Sequence, residues 1–341
     1  MNFKILKSEC QSVFIISFLI LIISFFVALR DLSIGADAYQ YKSYFDNFNY
    51  YINSPFYELG YHYFIYIIHA FTDNYFFFLF FYFLFTNFIL FKIIYNFKEQ
   101  YDSKYFLFTG LIFLSFLFVS SWYETAILNG IRQGTSLAIF YLATTYNYNK
   151  KNILFLFLFI FSCFFHSSSF LLLPFLILFF IGFRKVLYIF LILALFYPLG
   201  ITENLVIFLS NFMNIPIYST LAEYAEDVEA WKGFQLNFYV YTIFWALFFY
   251  VIHKFLIKSE LTEFVLKTYL ILCSFYFFYG FGNFSNRFGF VCWFYLPIAQ
   301  TVFTYFLFKK YVRNHNILLI FILSFLFFSY TRFIDILGFL I

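Results

Sequence analysis

The chain has 341 residues, 64% hydrophobic and 11% charged, with a formal net charge of +4. That composition lies far outside soluble globular usage and places the chain among polytopic membrane proteins. The net charge is too small and too dispersed for nucleic-acid binding. The 65 phenylalanines and 32 tyrosines have A/T-rich codons that account for much of their excess, so no aromatic stacking function is read from them. Cys10, Cys163, Cys273 and Cys292 are scattered without zinc or redox spacing, and neither a metal site nor a disulfide framework is expected.

Lys4 and Lys7 precede an apolar run from Val13 to Leu29, which ends in Ala28-Leu29-Arg30. No small-residue cleavage site follows, so the run reads as an uncleaved signal anchor. Further spans are expected at 75–94, 105–122, 125–146, 152–166, 169–183, 186–200, 238–257, 264–283, 288–308 and 317–335, after a first at 12–29. The apolar stretch 57–72 is short and carries Glu58, His62 and His69; it reads as a short span, a re-entrant segment or an interfacial helix. Lysines and arginines in short loops set the orientation. Lys92, Lys98 and Lys104, then Lys150-Lys151, Arg184-Lys185, Lys254 with Lys258, and Lys309-Lys310 with Arg313 all fall inside if 57–72 does not cross. The expected architecture is all-α, with about 11 (10–12) transmembrane helices. It forms a single transmembrane domain over residues 1–341, with its N-terminus cytoplasmic and outer loops at about 30–56 and 201–237. The second loop carries Glu203, Glu223, Glu226, Asp227 and Glu229, and its 218–232 segment has amphipathic character.

Inside the run 125–146 lies Asn129-Gly130-Ile131-Arg132-Gln133-Gly134-Thr135-Ser136. An arginine in hydrocarbon costs roughly 2.5–3.5 kcal/mol on insertion scales. In one continuous helix Thr125, Asn129, Arg132 and Ser136 share a face. Arg132 then sits about seven residues in, near 10 Å below the outer surface at about 1.5 Å per residue. Two readings stand: a functional cation facing a polar cavity, or an arginine tied to carbonyls or a carboxylate that holds the bundle together.

Arg30, Arg132, His166, Arg287 and Arg332 all fall at or near outer ends of spans, against the positive-inside trend. An anionic ligand at the outer leaflet accounts for them, since a guanidinium donates two parallel hydrogen bonds to phosphate and stays charged. Local pairing of Arg30 with Asp31 and of Arg332 with Asp335 is the plainer account. Arg287, flanked by the neutral Asn283, Ser285 and Asn286, has no such local carboxylate. His166, in Phe165-His166-Ser167-Ser168, is either a general base for a hydroxyl or an interfacial residue. Among outer carboxylates, Asp37 (Gly35-Ala36-Asp37, with Tyr41) and Glu58 (Glu58-Leu59-Gly60-Tyr61) are flanked by tyrosines, a combination suited to sugar hydroxyls.

Taken in order, these residues resemble the Wzy-type bacterial polysaccharide polymerases, and especially their EpsG-like branch. The resemblance rests on Arg30 before Gly35, Asp37 and Tyr41; on Glu58, Gly60 and Tyr61; on Ile131-Arg132-Gln133; on Phe165-His166-Ser167-Ser168; and on Arg287-Phe288. Gly134-Thr135-Ser136 departs from the apolar continuation expected after Gln133. The resemblance implies a GT-C-like membrane glycosyltransferase at the outer face of the bacterial inner membrane. It would join undecaprenyl-pyrophosphate-linked oligosaccharide repeat units without metal or cofactor, toward O-antigen, capsule or exopolysaccharide. It further implies Arg132, Arg287 and His166 as catalytic residues, and Arg30, Asp37, Tyr41, Glu58, Gln133 and Arg332 as substrate-binding ones. The implied partners are the donor and acceptor lipid-linked oligosaccharides, membrane lipid and a chain-length regulator protein, with no nucleic acid.

Two other functions fit part of the pattern. An O-antigen ligase shares the polymerase's donor chemistry and differs in acceptor; a glycosyltransferase using a polyprenyl monophosphate carries paired acidic residues after its first span, and these are missing. A lipid-linked oligosaccharide flippase calls for basic groups at both leaflets and an internal repeat; no repeat is found.

Overall fold

The computed structural model describes residues 3–222, 233–282 and 285–311. The fold is all-helical, with no strand among the described residues, as backbone in hydrocarbon demands when no water is present to satisfy its polar groups. The described residues up to Leu171 form one compact unit, and Leu172–Tyr311 form another.

The first unit opens with α1 (Phe3–Ala28). Ile16, Ile20, Ser24 and Val27 are buried on one face while Phe14, Phe18, Leu21 and Phe25 are exposed, the spacing of a helix with one protein side and one lipid side. The chain after α1 then folds into two short helices, α2 (Ala38–Asp46) and α3 (Phe48–Tyr51), followed by α4 (Leu59–His69). Next comes α5 (Tyr75–Asn96), whose N-cap Asn74 accepts from Phe76 N–H at 2.9 Å. The chain continues through α6 (Phe106–Val119), α7 (Ser121–Leu128), α8 (Ile131–Tyr148) and α9 (Asn152–Cys163). Helices α5 and α6 pack on α1, while α5, α7 and α9 pack on α8.

Polar side chains stitch these helices together. The Thr86 and Thr135 hydroxyls meet at 2.7 Å, and Asn87 donates to Ser24 Oγ at 3.1 Å while accepting from Tyr123 OH at 2.7 Å. Such bonds hold where apolar packing alone gives no preference between helix and lipid.

A 3-10 helix over Ser167–Phe179 carries the chain into the second unit. There α10 (Phe183–Phe196) turns by 100° into α11 (Ile201–Met213), and the short α12 (Ile217–Ala222) follows. Helix α13 (Leu236–Val251) ends in a π turn over Ile252–Leu256. Helix α14 (Glu260–Tyr279) is the core of this unit: Ser259 and Thr262 cap it reciprocally, and α10, α11, α13, α15 (Ser285–Trp293) and α16 (Leu296–Tyr311) all pack on it.

About eleven spans were expected from the sequence. Among the described residues five helices are long and apolar enough to cross a membrane, or seven if each bent pair counts once. The shortfall has local causes. The apolar run 125–146 is not one helix, because the chain breaks at Asn129-Gly130 between α7 and α8. The run 152–166 yields the 12-residue α9, and 169–183 falls largely in the 3-10 helix, which contains Pro174. At about 2.0 Å rise per residue, a 3-10 segment of that length is still nearly as long as the hydrocarbon is thick. The expected outer loop 201–237 opens with α11, and the span 317–335 lies outside the described residues, as does most of 218–232. The 11 residues of α4 extend about 16 Å, too short to cross.

Gly35 fixes the path of the loop between α1 and α2. Its φ is +106°, and an added Cβ would lie 2.6 Å from the Leu128 carbonyl oxygen. Gly35→Ala should therefore lower stability in detergent by about 2 kcal/mol or more. Gly182→Ala, where a Cβ meets nothing within 4 Å, should stay within about 0.5 kcal/mol. Equal melting temperatures for the two variants would refute this account of the loop.

Candidate active site

Glu58 stands at the N-cap of α4, but its carboxylate makes no capping bond to that helix. It turns instead to two segments distant in sequence. Oε2 pairs with Arg132 Nη1 of α8. Oε1 takes three bonds from the turn after α9: His166 Nδ1 at 2.9 Å, Ser167 N–H at 3.1 Å and Ser167 Oγ at 3.2 Å. The approach is set by Gly60, whose N–H donates to the Phe164 carbonyl at 2.7 Å and whose Cβ, if present, would lie 2.7 Å from that same oxygen. Only a glycine lets the start of α4 press against the end of α9. Phe165, buried and 5.9 Å from the Phe85 ring, pins the residue before His166.

Arg132 is the second residue of α8, directly after the helix break. Its guanidinium lies 4.1 Å from the Tyr57 ring centroid and 5.8 Å from that of Tyr41, close enough for cation–π attraction. The break itself is held by the segment from Arg30 to Tyr41. Arg30, only 6% exposed, donates to the Ile127 carbonyl in the last turn of α7, a favourable place for a cation. Ala36 N–H donates to Asn129 Oδ1 at 2.7 Å, and Tyr41 OH to the Asn129 carbonyl at 3.2 Å.

The electrostatics follow from this geometry. Burial by itself raises the Glu58 carboxyl, but the His166 hydrogen bond and the Arg132 charge outweigh it and hold the group well below the usual carboxylate range. Burial pushes the Tyr41 phenol up to about 12, so it stays a neutral donor. Arg132 Nε and the Tyr61 hydroxyl are buried without a hydrogen-bond partner among the described residues, while the Arg30 guanidinium and the Tyr75 hydroxyl lie against each other. No group of three or more His, Cys, Asp or Glu side chains there or elsewhere among the described residues is placed to hold a metal ion.

A family model described as the EpsG family matches residues 13–340. The chain belongs to the EpsG family. No curated protein and no solved structure matches it. EpsG-family proteins are associated with polysaccharide biosynthesis, and the apolar helices make this member a membrane protein.

Of the residues expected from sequence, this EpsG-family fold gathers Arg30, Tyr41, Glu58, Arg132 and His166 into one linked set in the first unit. Asp37 sits at the N-cap of α2, half-buried, and its charge is felt by Tyr41 and Tyr57. Gln133 follows Arg132 in the first turn of α8 and is half-buried. Arg287 is exposed on α15 in the second unit. Arg332 lies outside the described residues. Arg30 does not pair with Asp31, which instead accepts from Ser33 N–H at 2.7 Å. Arg132 is two residues into a helix rather than about seven, so the depth inferred from a continuous span does not apply. Tyr57, Asn129 and Ser167 were not singled out for the roles they take here. Asn129 is marked in the sequence only by its place on the face of Arg132 and Ser167 only by its motif with His166, while Tyr57 has no signal beyond its place beside Glu58.

The depressed Glu58 carboxyl makes a pH-dependent contribution to stability. Because its folded value lies below the ordinary 4.5, the contribution is full above that pH and is lost as pH falls below it. Glu58→Gln should cost about 2 kcal/mol near neutrality, with the gap to the parent protein closing below about pH 4.5. Thermal melts across that range measure it; a gap that widens in acid would contradict the pairing.

Proposed function

We propose that this EpsG-family chain polymerises undecaprenyl-pyrophosphate-linked oligosaccharide repeat units at the periplasmic face of the bacterial inner membrane, with its N-terminus cytoplasmic. It moves a growing glycan from its carrier to the non-reducing sugar of a new lipid-linked unit. The observation that carries the reading is the single Glu58 carboxylate that binds both Arg132 and His166.

The chemistry asks for three things. An acceptor hydroxyl must lose its proton, the anomeric carbon must be attacked, and the bond from that carbon to the pyrophosphate oxygen must break. His166 Nδ1 lies against Glu58 Oε1, so the Nδ1–H tautomer is favoured and the Nε2 lone pair is left to take the proton. Glu58 orients the imidazole, as the carboxylate does in other base–orienter pairs. Negative charge grows on the departing pyrophosphate, where a preorganised guanidinium lowers the barrier. Arg132 fills that role, held on Tyr57 and engaged by Glu58 through one nitrogen, with Nε unpartnered.

In this reading Asp37, Tyr41, Gln133, Arg30 and Arg332 contribute to substrate binding, and Arg287, which belongs to the second unit, is proposed as a catalytic residue on its chemistry alone. Burial limits Arg30 to an indirect part, through the α7 end that it caps. The partners are the two lipid-linked oligosaccharides, membrane lipid and a chain-length regulator protein.

Arg132→Ala should remain in the membrane at normal abundance yet leave single repeat units in place of long glycan, with polymerisation reduced about 100-fold or more. Arg132→Lys should not restore it, since an ammonium lacks the planar fork and stacks less well on Tyr57. Glycan length profiles from complemented deletion strains read both variants. Full-length polymer from Arg132→Ala, or from His166→Ala, would overturn the assignment.

A further inference from the structure

Three helices that qualify as spans meet at one end of the second unit. Helix α13 with its π turn closes at Leu256, α14 opens at Glu260, and α16 closes at Tyr311. Ends of membrane spans lie at the level of lipid headgroups. Between these ends lies an open cavity of about 630 Å³ lined by four lysines, Lys254, Lys258, Lys309 and Lys310. Its remaining wall is largely apolar, with Phe255 67% and Leu256 39% exposed and Phe306 beside them.

Lys310 and Lys254 are held at the rim. Lys310 Nζ donates to the Leu256 carbonyl at 2.7 Å, at the end of the π turn. The Lys254 ammonium lies 5.5 Å and 5.3 Å from the Tyr250 and Phe255 ring centroids. Lys254, Lys258 and Lys310 form no ion pair among the described residues. The carboxylate of Glu263, one turn into α14, faces His253 at 3.9 Å, which leaves Glu260 as the acidic residue nearest in sequence. Orientation by positive charge explains lysines at a helix end. It does not explain a cavity of this size with an exposed apolar wall.

We propose that this cavity binds the phosphate group of an anionic phospholipid. The lysines take the phosphate, and Phe255, Leu256 and Phe306 take the glycerol and first acyl carbons. A free phosphate ion offers the same charge but nothing for the apolar wall, which favours the lipid. Basic pockets between spans at headgroup level are a general means of holding such lipids. The site is independent of the Glu58–Arg132–His166 chemistry.

The full chain, purified in detergent, can be titrated with short-chain phosphatidylglycerol or phosphatidylcholine, and bound lipid counted by native mass spectrometry. Phosphatidylglycerol should be retained in preference. That preference should fall about tenfold or more in the Lys254→Gln, Lys258→Gln, Lys309→Gln, Lys310→Gln variant and persist in Lys150→Gln, Lys151→Gln. If the fourfold variant does not fold, Lys254→Gln with Lys258→Gln reads the same loss at smaller amplitude. Equal retention of the two lipids, an unchanged preference in the lysine variants, or an equal fall in the Lys150/Lys151 control would overturn the site. Displacement of phosphatidylglycerol by an equal concentration of inorganic phosphate would overturn the lipid as its occupant.

Discussion

The Glu58 carboxylate is the junction on which the first unit depends. Its two oxygens receive four donors from two segments, one 74 and the other more than 100 residues away in sequence. A half-buried carboxylate facing a cation and an imidazole is strongly non-additive. Taking away any one member leaves the others with uncompensated charge, at a cost of roughly 3–5 kcal/mol for a fully buried pair. Because these side chains are partly open to solvent, the cost here is smaller, and the group stays reachable by a ligand. Stability and chemistry thus share the same atoms.

Around that junction the chain is interrupted on purpose. A bend of 73° separates α6 from α7, and a second break at Asn129-Gly130 separates α7 from α8. Each break frees backbone groups that in hydrocarbon would be costly. At the second break the loop after α1 takes up two of them, with Arg30 donating to the Ile127 carbonyl and Tyr41 to that of Asn129, while Ala36 N–H holds the Asn129 side chain. The break in turn puts Arg132 in the first turn of α8, where the helix N-terminus adds partial positive charge to the guanidinium. A continuous span would have carried the arginine deeper, with its neighbours on all sides made of helix.

Much of this was legible in the sequence, and the reasons are physical. Composition alone required an all-helical membrane fold. A charge in an apolar run marked Arg132, and the order of short motifs marked Glu58, His166, Arg30 and Tyr41 as belonging to one set. What the residues could not convey was who meets whom. Glu58 reads as a sugar-facing carboxylate beside tyrosines, and nothing local says that both its oxygens are already taken. Arg30 beside Asp31 invites a neighbour pair, yet burial of the arginine and the Ser33 amide draw the two apart. The broken spans were hidden for a similar reason. Asn129-Gly130 is a modest helix breaker in water, and hydropathy averages across it.

The separation of these partners along the chain has a bearing on biogenesis. Arg30 leaves the ribosome 97 residues before the Ile127 carbonyl that receives it, a wait of about 5–20 s at ordinary elongation rates of roughly 5–20 residues per second. Glu58 waits longer still for His166. During that interval a cation and a carboxylate at the mouth of the first spans have only water, headgroups and each other. The loop after α1 therefore has its partners once Asn129 is made, whereas the Glu58 junction waits for Ser167. Assembly of the Glu58 junction thus follows synthesis of all the helices from α1 to α9.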